Sequence, residues 1–233
     1  MTDKTIDRQY SGLEIAVIGM AGRFPSAESV DDFWDNLVAG VEGISHFDDD
    51  ELLATGVSQE LLSDSRYVRS KGVFPGIEYF DAAFFGYTPA DATILDPQVR
   101  ALHEEVYHAL EDAGYSAERR SEAIGLFLGA TNNLAWETHT LRRHIEQTGV
   151  VFTGIQLNDK DFAATRIAYS LGLTGPAFTL HTACSTSLVA IDMACRNIWT
   201  GSCQIALAGG SGLTLPHKRG YLYQENLVYS PDG

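Results

Sequence analysis

The sequence predicts an α/β fold with a parallel sheet. Three short apolar runs, at 124–128, 177–180 and 204–208, read as strands, and apolar-striped segments at 161–170 and 185–199 lie between them. Such a strand–helix–strand rhythm favours parallel pairing, because each helix carries the chain back across the sheet. At 233 residues and 45% hydrophobic content, the chain can bury a sizeable core as one large domain or most of one.

From the N-terminus, 14–19 is dense in β-branched and aliphatic residues and is followed by the turn-prone Gly22-Arg-Phe-Pro25, which predicts a strand. Ser29-Val-Asp-Asp32 resembles a capping box. The helix it opens takes Phe33, Trp34, Leu37 and Val38 as its apolar stripe and Gly40 as its stop. The stretch 43–76 is the least regular, and it predicts loops with one short helix around 51–53. Asp96 is a good N-cap and Pro97 suits a first helical turn. Val99, Leu102, Val106 and Leu110 then recur at spacings of three and four before Gly114, so this helix turns its stripe to a sheet. Gly209, Gly210 and Gly212 near the last strand lack the following Lys-Ser/Thr of a phosphate loop and fit close backbone packing instead.

The stretch Thr182-Ala-Cys-Ser-Thr-Ser-Leu188 puts Cys184 where a short buried strand gives way to a helix that is apolar almost all round. Cys184 therefore opens that helix. A helix start carries unpaired N–H donors and the positive end of the macrodipole, which favour the thiolate, the attacking form of cysteine. Acyl transfer suits such a group. On position alone Cys184 reads equally as a small core residue, since free cysteine is among the most buried types. Cys195, eleven residues on, is about three turns away at roughly 1.5 Å per residue, too far for a disulfide, and Cys203 reads as core.

Sixteen Lys+Arg against thirty-one Asp+Glu give a net charge of −15, which argues against a general electrostatic attraction to nucleic acid. No apolar run approaches the roughly 18 residues of a membrane helix, and 1–8 lacks the basic-then-apolar pattern of a secretory signal. Together with three cysteines lacking metal-type spacing, this places the protein in a reducing cytoplasm.

Five segments, in order, resemble the N-terminal half of a β-ketoacyl synthase domain of the modular polyketide synthase kind. They are Ile15-Ala-Val-Ile-Gly-Met-Ala-Gly-Arg-Phe-Pro25; Leu95-Asp-Pro-Gln98 running to Ala109-Leu-Glu-Asp-Ala-Gly-Tyr115; Gly125-Leu-Phe-Leu-Gly129; Leu171-Gly-Leu-Thr-Gly-Pro176 with the Cys184 stretch; and Ala206-Leu-Ala-Gly-Gly210. Asn158-Asp-Lys-Asp161 followed by Ala164-Thr-Arg-Ile167 further resembles synthases from hybrid peptide–polyketide lines or lines with free-standing acyltransferases. The resemblance implies a thiolase-like fold, layered α-β-α-β-α from two similar halves, of which 13–233 is the first, behind a short N-terminal extension at 1–12, with the second largely absent from this chain.

It also implies a function. Cys184 would accept an acyl chain from the phosphopantetheine arm of an acyl carrier protein, no cofactor being bound directly, and a malonyl-type extender would then condense on that thioester with decarboxylation. Two histidines and a lysine assist in the family, all in motifs of the second half. The oxyanion hole is divided as well, one donor being the cysteine N–H and one coming from the second half; a lost donor costs about 100- to 1000-fold in rate. A complementing half or downstream modules would supply these groups. Family members also dimerise through strands near the nucleophile, so a non-catalytic scaffold or interaction fragment is the alternative, with a cysteine-dependent hydrolase or thiolase relative behind it.

Arg142-Arg143-His144 is a candidate basic spot for an acidic carrier, or simply a solvated face. His181, three residues before Cys184, stands where the family commonly has an acidic or amide residue; it reads as a general base or as a satisfied buried or interface histidine. His103 and His108 do not share a helix face, and His46, His139, His144 and His217 are scattered, which gives no metal site.

Overall fold

The computed structural model describes residues 11–74, 76–115, 122–149 and 151–233; most of the expected N-terminal extension lies outside them. The first part of the chain forms α1 (Val30–Ala39), β1 (Ile44–His46), α2 (Asp49–Ala54), α3 (Gln59–Leu62), β2 (Tyr67–Val68), β3 (Ser70–Gly72), α4 (Pro89–Ile94) and α5 (Pro97–Asp112). There follow β4 (Ile124–Ala130), α6 (Leu134–Thr148), α7 (Val151–Asn158), α8 (Ala163–Ser170), β5 (Ala177–Thr179), α9 (Thr186–Trp199), β6 (Ile205–Ser211) and β7 (Tyr221–Leu222).

The main sheet has the order β5-β4-β6, and β4 pairs in parallel with both neighbours. Central position explains why β4 reads as an unbroken apolar run, since both faces are covered. Successive side chains point to opposite faces. Ile124, Leu126 and Leu128 pack with Leu102, Val106 and Leu110 of α5 and with Ala164, Ile167 and Ala168 of α8. Phe127, on the other face, packs with Ala190 and Ala194 of α9. The expected stripe of α5 thus faces the sheet, and its cap is present: Asp96 Oδ1 accepts from Gln98 N at 2.8 Å.

At α1 the sequence is right about the ends and silent about the surroundings. Ser29 Oγ accepts from Asp32 N and Gly40 takes the left-handed C-cap at φ 68°, yet the helix has no buried residue, and Trp34, Leu37 and Val38 are exposed. The strand expected at 14–19 is not formed. A strand needs a neighbouring backbone, whereas Met20 N donates to the Asp112 carboxylate at 2.8 Å and Leu13 O accepts from Trp199 Nε1 at 2.8 Å. Val17 is consequently exposed. In the irregular stretch two short helices form, α2 where one was expected and α3 after it, each opened by its own side-chain cap at Asp48 and Ser58, and two small antiparallel sheets join β1 to β3 and β2 to the distant β7. Among the described residues no helix is long and apolar enough to cross a membrane.

Candidate active site

The carboxyl ends of β4, β5 and β6 converge on the turn that carries Cys184. After β5 the pairing runs one residue further, with Leu180 N donating to Leu128 O at 2.7 Å. The chain then breaks from the sheet. Ala183 adopts φ 54°, a left-handed conformation that costs a residue with a Cβ on the order of 1–2 kcal/mol. Hydroxyls hold it there. Thr186 Oγ1 accepts from Thr182 N at 3.0 Å and donates to Ala183 O at 2.7 Å, while Ser185 Oγ donates to Thr182 O at 2.8 Å. Strain maintained by a dedicated set of bonds at a strand-to-helix turn is a mark of functional sites.

One correction concerns where the helix starts. Cys184 does not begin α9; it sits in a single 3-10 turn, Ala183–Ser185, ahead of the first α-helical residue, Thr186. The left-handed residue at 183 imposes that tighter entry. Among the described residues Cys184 is exposed, whereas Cys195 is half-buried and Cys203 buried. Among the described residues the Cys184 N–H has no hydrogen-bond acceptor, so it is available to a ligand.

The turn rests on two glycines that face each other across the sheet, Gly129 of β4 and Gly210 of β6. A Cβ on Gly129 would lie 1.9 Å from Thr186 Cγ2, and one on Gly210 would lie 3.1 Å from Ser187 Oγ. Their missing side chains let the start of α9 sit directly on the strands, the close packing expected of the glycines near 210, of which Gly209 and Gly210 lie within β6 and Gly212 follows it.

His181 points its Nε2 to Asp161 Oδ1 at 3.3 Å, with Lys160 Nζ on the same oxygen at 3.3 Å. The Asn158–Asp161 segment is thereby bound beside the Cys184 turn, and among the described residues no hydrogen bond joins His181 to Cys184. The ring lies exposed beside Asp161. His103 is fully buried, accepting or donating with the Tyr87 hydroxyl at Nε2 and bonded to Val99 O through Nδ1; burial pushes it down to about 4. Arg142 pairs with Glu146 at 2.9 Å, and Arg143 and His144 line a small cleft of about 280 Å³ with Trp136 and Ile94.

Beyond the expected Asp96 cap, the start of α5 carries a buried polar cluster. Asp96 Oδ1 accepts from Gln98 N and from Asn133 Nδ2 at 3.2 Å, and Gln98 bonds the N, Oγ1 and O of Thr131 with its side-chain amide. Burial pushes Asp96 up to about 6; Glu137 pushes the same way, and Arg100 and the two donors oppose it. Because the folded value lies above the ordinary 3.8, this group's contribution to stability is complete below about pH 4 and is lost as pH rises through 6. Both bonds end on Oδ1, so Asp96→Asn keeps them and removes the buried charge. Melting temperatures of the two proteins should coincide near pH 4 and diverge above pH 6, with Asp96→Asn the more stable by on the order of 2 kcal/mol.

Residues 13–233 match the family model of the β-ketoacyl synthase N-terminal domain. The chain belongs to the β-ketoacyl synthase family. It is 43% identical over 227 residues to a phenolphthiocerol/phthiocerol polyketide synthase of Mycobacterium tuberculosis, covering 94% of this chain and 15% of that protein. Polyketide synthase PksN of Bacillus subtilis is 35% identical over 228 residues, with 4% of its length covered. Among solved structures, ketosynthase twelve of the bacillaene polyketide synthase of Bacillus amyloliquefaciens superposes with a TM-score of 0.83 at 32% identity, over 94% of this chain and 38% of that one. The ketosynthase of module 1 of the same synthase gives 0.76. The fold is therefore that of the thiolase-like ketosynthases, of which the chain carries the N-terminal domain, and it spans well under half the length of these relatives.

Proposed function

We propose that this chain is the nucleophile-bearing part of a polyketide ketosynthase and that Cys184 is its acyl acceptor. The observation that carries the reading is an exposed cysteine held out on a strained turn over a two-glycine shelf, in a chain of this family. The Cys184 thiolate attacks the thioester carbonyl of an acyl chain on the phosphopantetheine arm of an acyl carrier protein. The carbon–sulfur bond to the arm breaks, and the departing sulfur takes up the proton that Cys184 gave up. The Cys184 N–H supplies one donor to the oxyanion that forms on the way. A carrier-bound malonyl-type unit then loses carbon dioxide, its α-carbon attacks the Cys184 thioester, and Sγ leaves, with the histidines of the family's second half assisting.

Two surface features support partners of this kind. Leu188 and Ile191 on the outer face of α9 are exposed, as they would be where the family's second half belongs. β5 is a sheet edge with Phe178 half exposed, where a second copy would pair. The reading is tested by incubating the full polypeptide with an acyl-pantetheine thioester and reading intact mass. An added acyl group mapped to the Cys184 peptide supports it, and an unmodified mass or an adduct on another residue overturns it.

A further inference from the structure

The shelf under Cys184 has its own fastening, built from the Leu95-Asp-Pro-Gln98 motif that the proposed chemistry leaves without a part. Gln98 fixes Thr131, two residues beyond Gly129, through three bonds of 2.9–3.0 Å. Asn133 reaches both ways: its Nδ2 donates to Asp96 Oδ1 at 3.2 Å, and its Oδ1 accepts from Leu215 N, beyond the end of β6, at 3.2 Å. Lys71 Nζ holds the same loop through Thr214 O and Thr214 Oγ1 at 3.0 Å and Pro216 O at 3.2 Å. The ends of β4 and β6, which bear the two glycines, are thus tied to one point on α5. Asp96, Gln98 and Asn133 are each at most 2% exposed, so water does not substitute for these bonds.

We propose that Asn133 is a positioning residue for the nucleophile: by bridging Asp96 to the Leu215 backbone it fixes the segments that leave β4 and β6 against the start of α5, beside the strand ends that carry the Cys184 turn. The inference rests on the reading of Cys184 as acyl acceptor for its link to activity, and on geometry alone for its link to the turn.

Asn133→Asp tests it through a pH profile. An ionised carboxylate at position 133 would set an oxygen against Asp96 Oδ1, two acceptors with no proton between them. A protonated carboxyl there would donate to Asp96 and accept from Leu215 N as the amide does. Other charged groups facing the pair are Arg100 from α5 and Glu137 from α6, with Lys71 of β3 bonded to the adjoining loop. Two rates are compared with the parent protein in the full polypeptide, at a temperature where circular dichroism shows both folded: acyl loading from a pantetheine thioester, and alkylation of Cys184 by iodoacetamide, which needs no acyl substrate. The expected ratio to the parent is about 0.01–0.1 near pH 8 for both, climbing toward 1 near pH 5.5, since displacing a reacting group by about 1 Å can cost 100-fold and close carboxylates share one proton. A ratio near 1 at pH 8, or one that stays flat on acidification, overturns the proposal. Should Asn133→Asp not fold, Asn133→Ala decides: a loss of about tenfold or more in alkylation at every pH supports the role, and rates within twofold of the parent overturn it. If the parent itself takes no acyl group, the acceptor reading fails, and alkylation alone still judges the positioning role.

Discussion

Cys184→Ala will load no acyl group and will melt within about a degree of the parent protein. The first half follows from chemistry: the thioester needs a sulfur at this position, and the other two cysteines, half-buried and buried, sit away from the exposed turn. The second follows from exposure. An exposed sulfur leaves no cavity when it is removed, and surface substitutions away from special features usually stay within about 0.5 kcal/mol. Cys184→Ser should load far more slowly than the parent, because an alcohol is far less ionised than a thiol at neutral pH and His181 is engaged with Asp161. Loading by Cys184→Ala, read by intact mass, would remove the nucleophile assignment.

Gly129→Ala will damage the site from below. The new methyl group would stand 1.9 Å from Thr186 Cγ2, 3.1 Å from Thr186 Cβ and 3.2 Å from Leu180 O. Thr186 cannot simply turn its methyl aside, because its hydroxyl accepts from Thr182 N and donates to Ala183 O, the two bonds that hold the left-handed turn. Either the turn loosens or α9 lifts from the sheet. Overpacking of this kind costs about 1–3 kcal/mol, and a nucleophile displaced by about 1 Å costs on the order of 100-fold in rate. Melting temperature and acyl loading should both fall. Adding Thr186→Ser removes the offending Cγ2 and keeps the hydroxyl, so the double variant should recover most of both; failure to recover would mean that the shelf does not act through Thr186.

What the sequence made legible and what it hid divide along the range of the interactions. Local signals read correctly: the Ser29 and Asp96 caps, the Val99-to-Leu110 stripe and the apolar run of β4 each depend on neighbours a few residues away. The parallel sheet followed from the rhythm of these elements. The left-handed Ala183 was hidden, because alanine carries no sign of such a conformation; the Thr and Ser hydroxyls around it are the signal, and they become readable once the turn is known. The role of Leu95-Asp-Pro-Gln98 was hidden for a different reason, since its partners Thr131 and Asn133 lie 33 or more residues away. The segment 14–19 misled by composition: it is as apolar as a buried strand, yet Val17 and Ile18 are exposed, as are Leu188 and Ile191 on the correctly expected α9.

That openness bears on how α9 moves. Of its side chains only Ala190 and Ala194 are buried, both small, whereas α5 buries nine residues along one stretch. A helix covered on one face opens at a lower free energy than a strand covered on both. Its amides will exchange with deuterium well before those of β4, even though the two elements meet at Phe127. Exchange in α9 is then a gauge of whatever comes to lie on its outer face: a covering layer slows it, while β4, already enclosed on both sides, keeps its own pace.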